Sequence, residues 1–597
     1  MPVILGLNTH HAGASAALLI DGLPVAAIAE ERLNRIKYYA GFPRLSVLKV
    51  MEMGGVTFKD LDYVAIGHDP GANMVPKARY LLGHVDKLPN LLRMRAARRS
   101  LGDLKALLAA ECGVDASALR FKQVFVEHHL AHIASAYFAS PWDRAAGFSI
   151  DGSGDFVTCM LAECRDRTIE VKRRIYVPHS LGWLYTMVCQ FIGYGQYGDE
   201  GKVMGLAPYG SPTYLETFRD MVRYSDDGIR LNPAYFVPLG ENAGIDINDH
   251  GEMVIQRQYS DRMVELFGVP RPPGAAIEQR EMDLAYSLQA VFEEGYMHLL
   301  NLLHRLVPVE RVAMAGGAVL NSVANGKLFD RTPFTQTTIQ PAAGDEGLAL
   351  GAALYVSQAL LGEKTRYVMR DAYLGPAYDR AAIKAALDGA GLVYRELPRH
   401  ELIETAVNLI DGGAVLGWFQ GRMEWGPRAL GNRSILAHPG RAEMKDVLNA
   451  RIKRREWFRP FAPVVLAERQ NDIFEHSHPS PFMLHVYKIR PQWRERLAAV
   501  CHVDDTGRLQ TVSREENPLY YDLIARFGEQ TGIPVLINTS FNENEPIICT
   551  PEEAVDCYLR TRMDALVIGD FLCIKPPTEE QASALPEARS AGAQMTS

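Results

Sequence analysis

Val3-Ile4-Leu5-Gly6-Leu7 opens the chain as an apolar strand and enters the polar turn Asn8-Thr9-His10-His11-Ala12-Gly13. Ser15-Ala16-Ala17-Leu18-Leu19-Ile20 returns as a second strand and stops at Asp21-Gly22, a dipeptide that favours a tight hairpin. The plan recurs downstream. Ala145 to Ile150 reads as a buried strand, Asp151-Gly152-Ser153-Gly154-Asp155 as a polar loop, and Phe156 to Leu161 as the returning strand. Two such hairpins predict an internal duplication of a sheet-plus-helix unit, and hence an α/β class, α+β overall. The small residues in both first turns would let backbone N–H groups approach a phosphate, while each turn alone reads equally as a tight hairpin.

Between the hairpins lies Val126-Glu127-His128-His129-Leu130-Ala131-His132, followed by Ile133 to Tyr137. If this segment is helical, His128 and His132 stand one turn apart on one face and His129 points elsewhere. Asp151, at the end of a buried strand, adds an aimed carboxylate. Two imidazoles with carboxylate oxygen suit iron or zinc. The His-Glu-x-x-His order of zinc proteases is absent, since Glu127 precedes the first histidine. In a chain with 17 histidines such a pair also arises by chance, so the metal reading needs further ligands. The stretch from Lys87 to Ala110 reads as an amphipathic helix whose Arg93, Arg95, Arg98 and Arg99 form a solvated face.

A length of 597 residues predicts at least two domains, and 47% hydrophobic with 22% charged residues predicts globular ones. No apolar run approaches the ~18 residues needed to span a bilayer, and Asn8, His10 and His11 interrupt any leader-like N-terminus, so a cytoplasmic, membrane-free protein is expected. The eight cysteines contain no Cys-x-x-Cys pair, as expected of a reducing compartment. The net charge of −8 argues against a generic nucleic-acid binder.

Gly198-Asp199-Glu200-Gly201-Lys202, continuing to Gly210, reads as a mobile charged loop that would offer Lys202 to a phosphate or Glu200 to a hydroxyl; it is not a P-loop. Arg311 to Ala315 reads as a buried strand running into Gly316-Gly317, with a helix from about Val319 carrying Asn321. Asp345, in Gly344-Asp345-Glu346-Gly347, is either a helix-terminal carboxylate or a fourth ligand for His128, His132 and Asp151. A second domain is expected from Arg366 to Tyr378 onward. Its centre, Arg422 to Arg459, holds ten Lys or Arg against four Asp or Glu, a local +6. These charges sit in a Gly/Pro-rich stretch, which favours a pocket for small anions over a nucleic-acid face. Val535-Leu536-Ile537 leads into Asn538-Thr539-Ser540, whose amide and hydroxyl share one side of a strand. Residues 579–597 read as a disordered tail.

Taken in order, His-x-x-x-His at 128 and 132, Asp151-Gly152-x-Gly154, Gly201 to Gly210, Gly316-Gly317-x-x-Leu320-Asn321 and Gly344-Asp345-x-Gly347 resemble the NodU/CmcH-type O-carbamoyltransferase family, from Leu5 to about Lys575. The resemblance implies an actin/Hsp70-like ATPase-fold domain over residues 1–365, akin to tRNA threonylcarbamoyl-transfer proteins, and a threonylcarbamoyl-adenylate-synthase-like domain over 366–578. It implies an iron-type metal, Fe(II) ahead of Zn, on His128, His132, Asp151 and Asp345. Adenine nucleotide would lie around Gly316, Gly317 and Asn321, with Glu200 and Lys202 beside it and Mg as a companion of ATP. Arg428, Lys453, Arg459, Asn538 and Ser540 would hold carbamoyl phosphate and nucleotide.

The implied chemistry joins the carbamoyl group of carbamoyl phosphate to the AMP of ATP, because carbamate alone is a poor electrophile. Carbamoyl-adenylate then passes to the hydroxyl of a small acceptor such as a sugar or secondary metabolite, sheltered from water. His11 is the expected base and Lys37 an acceptor contact. Family members commonly read His-Asp-Ala-Ser or His-Gly-Asp-Ser where this chain has His10-His11-Ala12-Gly13-Ala14-Ser15, so His10 and His11 both stay open. Two other functions compete: a tRNA threonylcarbamoyl-type modification enzyme, and a non-catalytic regulator that binds metal or nucleotide.

Overall fold

The computed structural model describes residues 2–83, 103–237 and 245–575. Arg93, Arg95, Arg98 and Arg99 and the tail 579–597 lie outside them.

Strand Val3–Asn8 is the middle of a five-stranded sheet. It pairs antiparallel with Ser15–Ile20, which pairs antiparallel with Leu23–Ala29; on its other side Tyr63–Ile66 and Lys122–Phe125 run parallel. A second five-stranded sheet repeats this plan around Arg144–Gly154. That strand pairs antiparallel with Val157–Arg165, which pairs antiparallel with Thr168–Tyr176; on its other side Arg311–Ala315 and then Gln336–Ile339 run parallel. Identical order and direction in both halves is the duplicated actin-like ATPase topology, with insertions in the second half. After its last strand each half places a helix, His128–Tyr137 and Leu348–Tyr355, and the two helices pack face to face. A Cβ on Gly351 would lie 2.0 Å from the Ala131 carbonyl oxygen, and one on Gly6 1.9 Å from that of Ala349. Alanines and glycines therefore set the distance between the halves, which also sets where His128 and His132 stand.

Two sequence expectations are corrected. The turn after Arg144–Gly154 falls at Asp155-Phe156, so Phe156 belongs to the turn and the returning strand starts at Val157. Residues 198–210 are an ordered helix, Glu200–Leu206, followed by a 3₁₀ turn at Ala207–Tyr209. Val203 and Leu206 reach the core under the long helix Gln279–Leu306, and tertiary burial outweighs the helix-weakening glycines.

The second lobe is a nine-stranded mixed sheet. Helices Arg399–Asp411 and Pro518–Thr531 cover one face, and Arg380–Gly389 and Pro551–Arg560 the other. Residues 366–374 bind the first lobe, Met369 N donating to Ala139 O and Ala27 N to Leu374 O, before Gly375 crosses to Met423. The lobes are stitched further by Arg32 on the Gly426 carbonyl, Arg35 on the carbonyls of Pro546 and Ile547, and Asn325 on that of Leu484. No helix among the described residues is long and apolar enough to cross a membrane.

Candidate functional site

His128, His132, Asp151 and Asp345 converge, with one ligand atom from each within 4.8 Å of every other. His132 Nε2 lies 3.1 Å from His128 Nε2 and 3.1 Å from Asp151 Oδ2, and both imidazole Nε2 atoms lie 3.5 Å from Asp345 Oδ1. All four side chains are buried. Asp345 Oδ1 has no hydrogen-bond donor of its own. Burial disfavours a charge on His132, but Asp151 and Asp345 outweigh it and push its pKa up to about 9. Burial likewise opposes ionisation of both aspartates; the imidazoles around them hold Asp151 well below, and Asp345 below, the usual carboxylate range. Two nitrogen and two oxygen donors closing on one buried point suit a borderline divalent cation. His129 faces away onto Ser149 Oγ and Val157 O.

The backbone around the cluster explains its glycines. Gly317 N donates to Asp151 Oδ2 at 3.0 Å, and a Cβ on Gly317 would stand 2.9 Å from Asp151 Oδ1. Gly316 has φ +102°, and a Cβ there would strike the Ile150 carbonyl at 2.2 Å. A Cβ on Gly154 would meet the His128 ring at 2.0 Å. His128 is the first residue of its helix, so its N–H lacks an intrahelical acceptor. Asp155 Oδ2 accepts it at 2.9 Å, while Asp155 Oδ1 lies 2.5 Å from His68 Nδ1. Sequence reading quoted Asp155 as a loop residue but did not connect it to His128.

His11, and not His10, faces the cluster: its Nδ1 lies 2.7 Å from Asp345 Oδ2 and its ring 5.3 Å from that of His128. His10 Nδ1 pairs with Thr9 Oγ1. Glu200 is half-buried, accepts from Thr186 Oγ1, and has its pKa raised by desolvation. Lys202 pairs with Asp199 at 2.7 Å and approaches Glu456 of the second lobe at 3.6 Å. Asn321 caps helix Ser322–Gly326 instead of riding on it, and its amide exchanges hydrogen bonds with Gln289. Lys37 stands at the junction of the lobes; burial lowers its pKa, and Glu31, Arg459, Lys202 and Glu545 are its charged neighbours.

The second lobe contributes a cluster of cations. Buried Glu424 folds the Trp425 to Arg433 turn around itself, its Oε1 accepting from the N–H groups of Leu430, Asn432 and Arg433. That turn presents Arg428, beside Arg455, Arg459 and Arg508. Burial lowers the pKa of Arg508 well below its usual value, and Arg428, Arg455 and Arg459 lower it further. Arg455 is depressed to about 9 by burial and then by Arg459. The Nε atoms of Arg428 and Arg508 are buried without a partner. Mutually repelling guanidiniums, two of them with an unpartnered Nε, are suited to an anion. Lys453 is engaged differently: its ammonium binds oxygens of Ser540 and Asn542, which places it beneath the loop that carries Ser540. Asn538 donates to Gln510 and Ala429 O, leaving its Oδ1 unpartnered. Arg455 was visible in the basic stretch without being singled out. Arg508, alone in strand Thr506–Val512, carried no sequence signal.

One cavity of about 2190 Å³ joins all of this. Its wall includes His11, Asp151 and Asp345, Lys37, Lys202 and Asn321, and Arg428, Arg459 and Arg508. Ordinary ligand pockets hold about 300–1,000 Å³, so this one has room for more than one reactant.

Comparison with known proteins agrees with this arrangement. Residues 3–354 match the family described as Carbamoyltransferase N-terminus, and residues 407–575 the family described as Carbamoyltransferase C-terminus. Nodulation protein NolNO of Sinorhizobium fredii is 38% identical over 95% of this chain and 80% of its own length. Nodulation protein U of Rhizobium tropici is 36% identical over 90% of each chain. Among solved structures, HypF of T. kodakarensis aligns over 61% of this chain and 48% of its own, at 15% identity and a TM-score of 0.28. With both family segments matched in order along most of its length, the chain belongs to the carbamoyltransferase family and is a carbamoyltransferase enzyme.

Proposed function

We propose that the protein is an ATP-dependent O-carbamoyltransferase that activates carbamoyl phosphate at the arginine end of the cavity and delivers the carbamoyl group to a small-molecule hydroxyl at the His/Asp end. The observation that carries this reading is the shared cavity, which is lined both by the arginine cluster and by residues of the His/Asp cluster.

Arg428, Arg455, Arg459 and Arg508 would bind carbamoyl phosphate and the triphosphate of ATP, and Mg would accompany the nucleotide. Phosphorus balance defines the activation: water releases phosphate from carbamoyl phosphate, the carbamate oxygen attacks the α-phosphorus of ATP, and pyrophosphate leaves. The free Oδ1 of Asn538 would supply an acceptor for the carbamoyl amide, while Ser540, whose hydroxyl donates to Asn542 Oδ1 and accepts from Lys453, would hold the adjoining loop in place. Lys37, Lys202 and Asn321 would line the path between the two sites, with Gly317 as its close backbone floor, and half-buried Glu200, bonded to Thr186, braces the helix that bears Lys202.

At the other end His128, His132, Asp151 and Asp345 would hold a divalent metal, Fe(II) in preference to Zn. When bound, that ion supplies Lewis-acid polarisation of a carbonyl or phosphoryl oxygen. Asp345 Oδ2 accepts from His11 Nδ1, which leaves His11 Nε2 with the lone pair. Nε2 removes the proton of the acceptor hydroxyl as its oxygen attacks the carbamoyl carbon and AMP departs.

The test combines protein, ATP, carbamoyl phosphate and Fe(II) with mass-spectrometric detection of carbamoyl-adenylate and pyrophosphate. Both products are expected with the wild type and strongly reduced with Arg459→Ala. Absence of both from the wild type would reject the reading.

A further inference from the structure

Beyond the metal cluster the cavity continues into an aromatic mouth. Phe156 is the second residue of the two-residue turn between Gly154 and Val157, which are paired across the strands. Asp155 and Phe156 both have positive φ, +48° and +76°. That is the pattern of a type I′ hairpin, whose second position is ordinarily glycine. A bulky side chain in left-handed backbone is strained, and such strain concentrates at binding sites. Here it aims an aromatic ring at the cavity wall. Tyr80 meets it edge-on, with centroids 5.6 Å apart, and Tyr176 lies behind it at 6.3 Å. Met74, on the same helix as Tyr80, completes the wall and is 51% exposed.

This wall is locked to the candidate metal centre. Asp155, in the same turn, bonds the backbone N–H of His128, and Gly154 lies flat against the His128 ring. A molecule stacked on Phe156 therefore stands beside His128. Lys77 is the one cation among the described lining residues of this mouth, and its ammonium is bound to the carbonyls of Ala72 and Pro70. The cavity is thus cationic where activation would occur and aromatic where the acceptor would enter.

We infer that Phe156 is a specificity-determining residue and that the acceptor is a neutral hydroxylated molecule presenting an apolar ring face, not a phosphorylated one. The inference rests on the carbamoyl-transfer reading, but its test requires no turnover. Saturation-transfer NMR on the full chain uses benzyl β-glucoside, methyl β-glucoside and glucose 6-phosphate as probes. Saturation is expected at the phenyl protons, with the other two probes binding at least about tenfold more weakly. Phe156→Gly removes the ring and relaxes the positive φ; it is expected to weaken benzyl glucoside about tenfold, and Phe156→Tyr to restore it. A ring that served only for packing would shift the melting temperature in Phe156→Gly and leave probe affinity alone, which would overturn the inference. So would a phosphorylated probe bound as tightly as the benzyl one, or no saturation of the phenyl protons at all. The underlying transfer reading fails by a different observation, the absence of pyrophosphate release by the wild type.

Discussion

Gly317 shows how a residue without a side chain can set a candidate metal site. Its N–H holds one oxygen of Asp151, and its missing Cβ leaves room for the other. Gly317→Ala is expected to rotate that carboxylate and weaken divalent-metal affinity about 10- to 100-fold, the usual range for outer-sphere partners of a ligand. Competition with a chromogenic chelator measures this, and an unchanged affinity would show that Asp151 does not depend on the contact. Arg508 poses the opposite case, a charge that costs stability until a ligand arrives. Its half-buried guanidinium lies among those of Arg428, Arg455 and Arg459, which repel it. Replacing it by methionine keeps much of the volume and removes the repulsion. Arg508→Met is therefore expected to stabilise the ligand-free protein by about 1–3 kcal/mol while abolishing most of the thermal stabilisation by carbamoyl phosphate. Melting curves with and without carbamoyl phosphate test both halves; a lower ligand-free melting temperature would contradict the repulsion argument.

Elements differed in how far their local sequence carried them. The first hairpin was legible because strand periodicity and Asp21-Gly22 agree with the pairing, the second only in outline because its strand runs on through Asp151 to Gly154, and the His128/His132 face was legible because helical spacing is local. Helix Glu200–Leu206 was not, since glycines at 201 and 205 read as a loop until Val203 and Leu206 find a core supplied by distant helices. Strand His485–Lys488 depends on the same kind of long-range support. Val486 O would stand 1.9 Å from a Cβ on Gly326, so this edge strand lies directly on helix Ser322–Gly326 of the first lobe. His485 is buried there, stacked near Phe329 and Tyr487, and burial followed by His478 and His476 depresses its pKa to about 3. An unfolded histidine titrates near 6.5. The neutral ring's stability contribution is therefore present above pH ~6.5 and lost progressively as pH falls from there toward 3. Between pH 7 and pH 5 the loss amounts to about 2 kcal/mol. His485→Phe keeps the stacking and should flatten this part of the pH profile. Unfolding midpoints at the two pH values provide the check, and equal acid sensitivity in both proteins would exclude His485 as the cause.

At the scale of the whole molecule, the cavity exists only because the lobes are held together, which is why no local reading of the sequence contained it. Arg428 and Arg508 reach its wall from one lobe, and Asp151 and Asp345 from the other. The seam between them runs past helix Glu200–Leu206, where a Cβ on Gly205 would lie 3.4 Å from Pro460 and where Lys202 approaches Glu456. If carbamoyl-adenylate forms in one lobe and reacts in the other, this seam is what keeps water from it. Gly205→Trp would wedge the seam open at Pro460, away from the His/Asp cluster, and an undiminished burst shows that the neighbouring arginines still work. In the absence of an acceptor, the intact protein should release pyrophosphate in a burst matching its own amount and then slow, because the intermediate stays inside. The wedged variant should give the same burst followed by continuing, several-fold faster pyrophosphate release, as intermediate escapes, hydrolyses and frees the activation site for another turn. Burst kinetics separate the two behaviours: an unchanged slow phase in a properly folded Gly205→Trp would mean that closure of the lobes at this seam does not retain the intermediate.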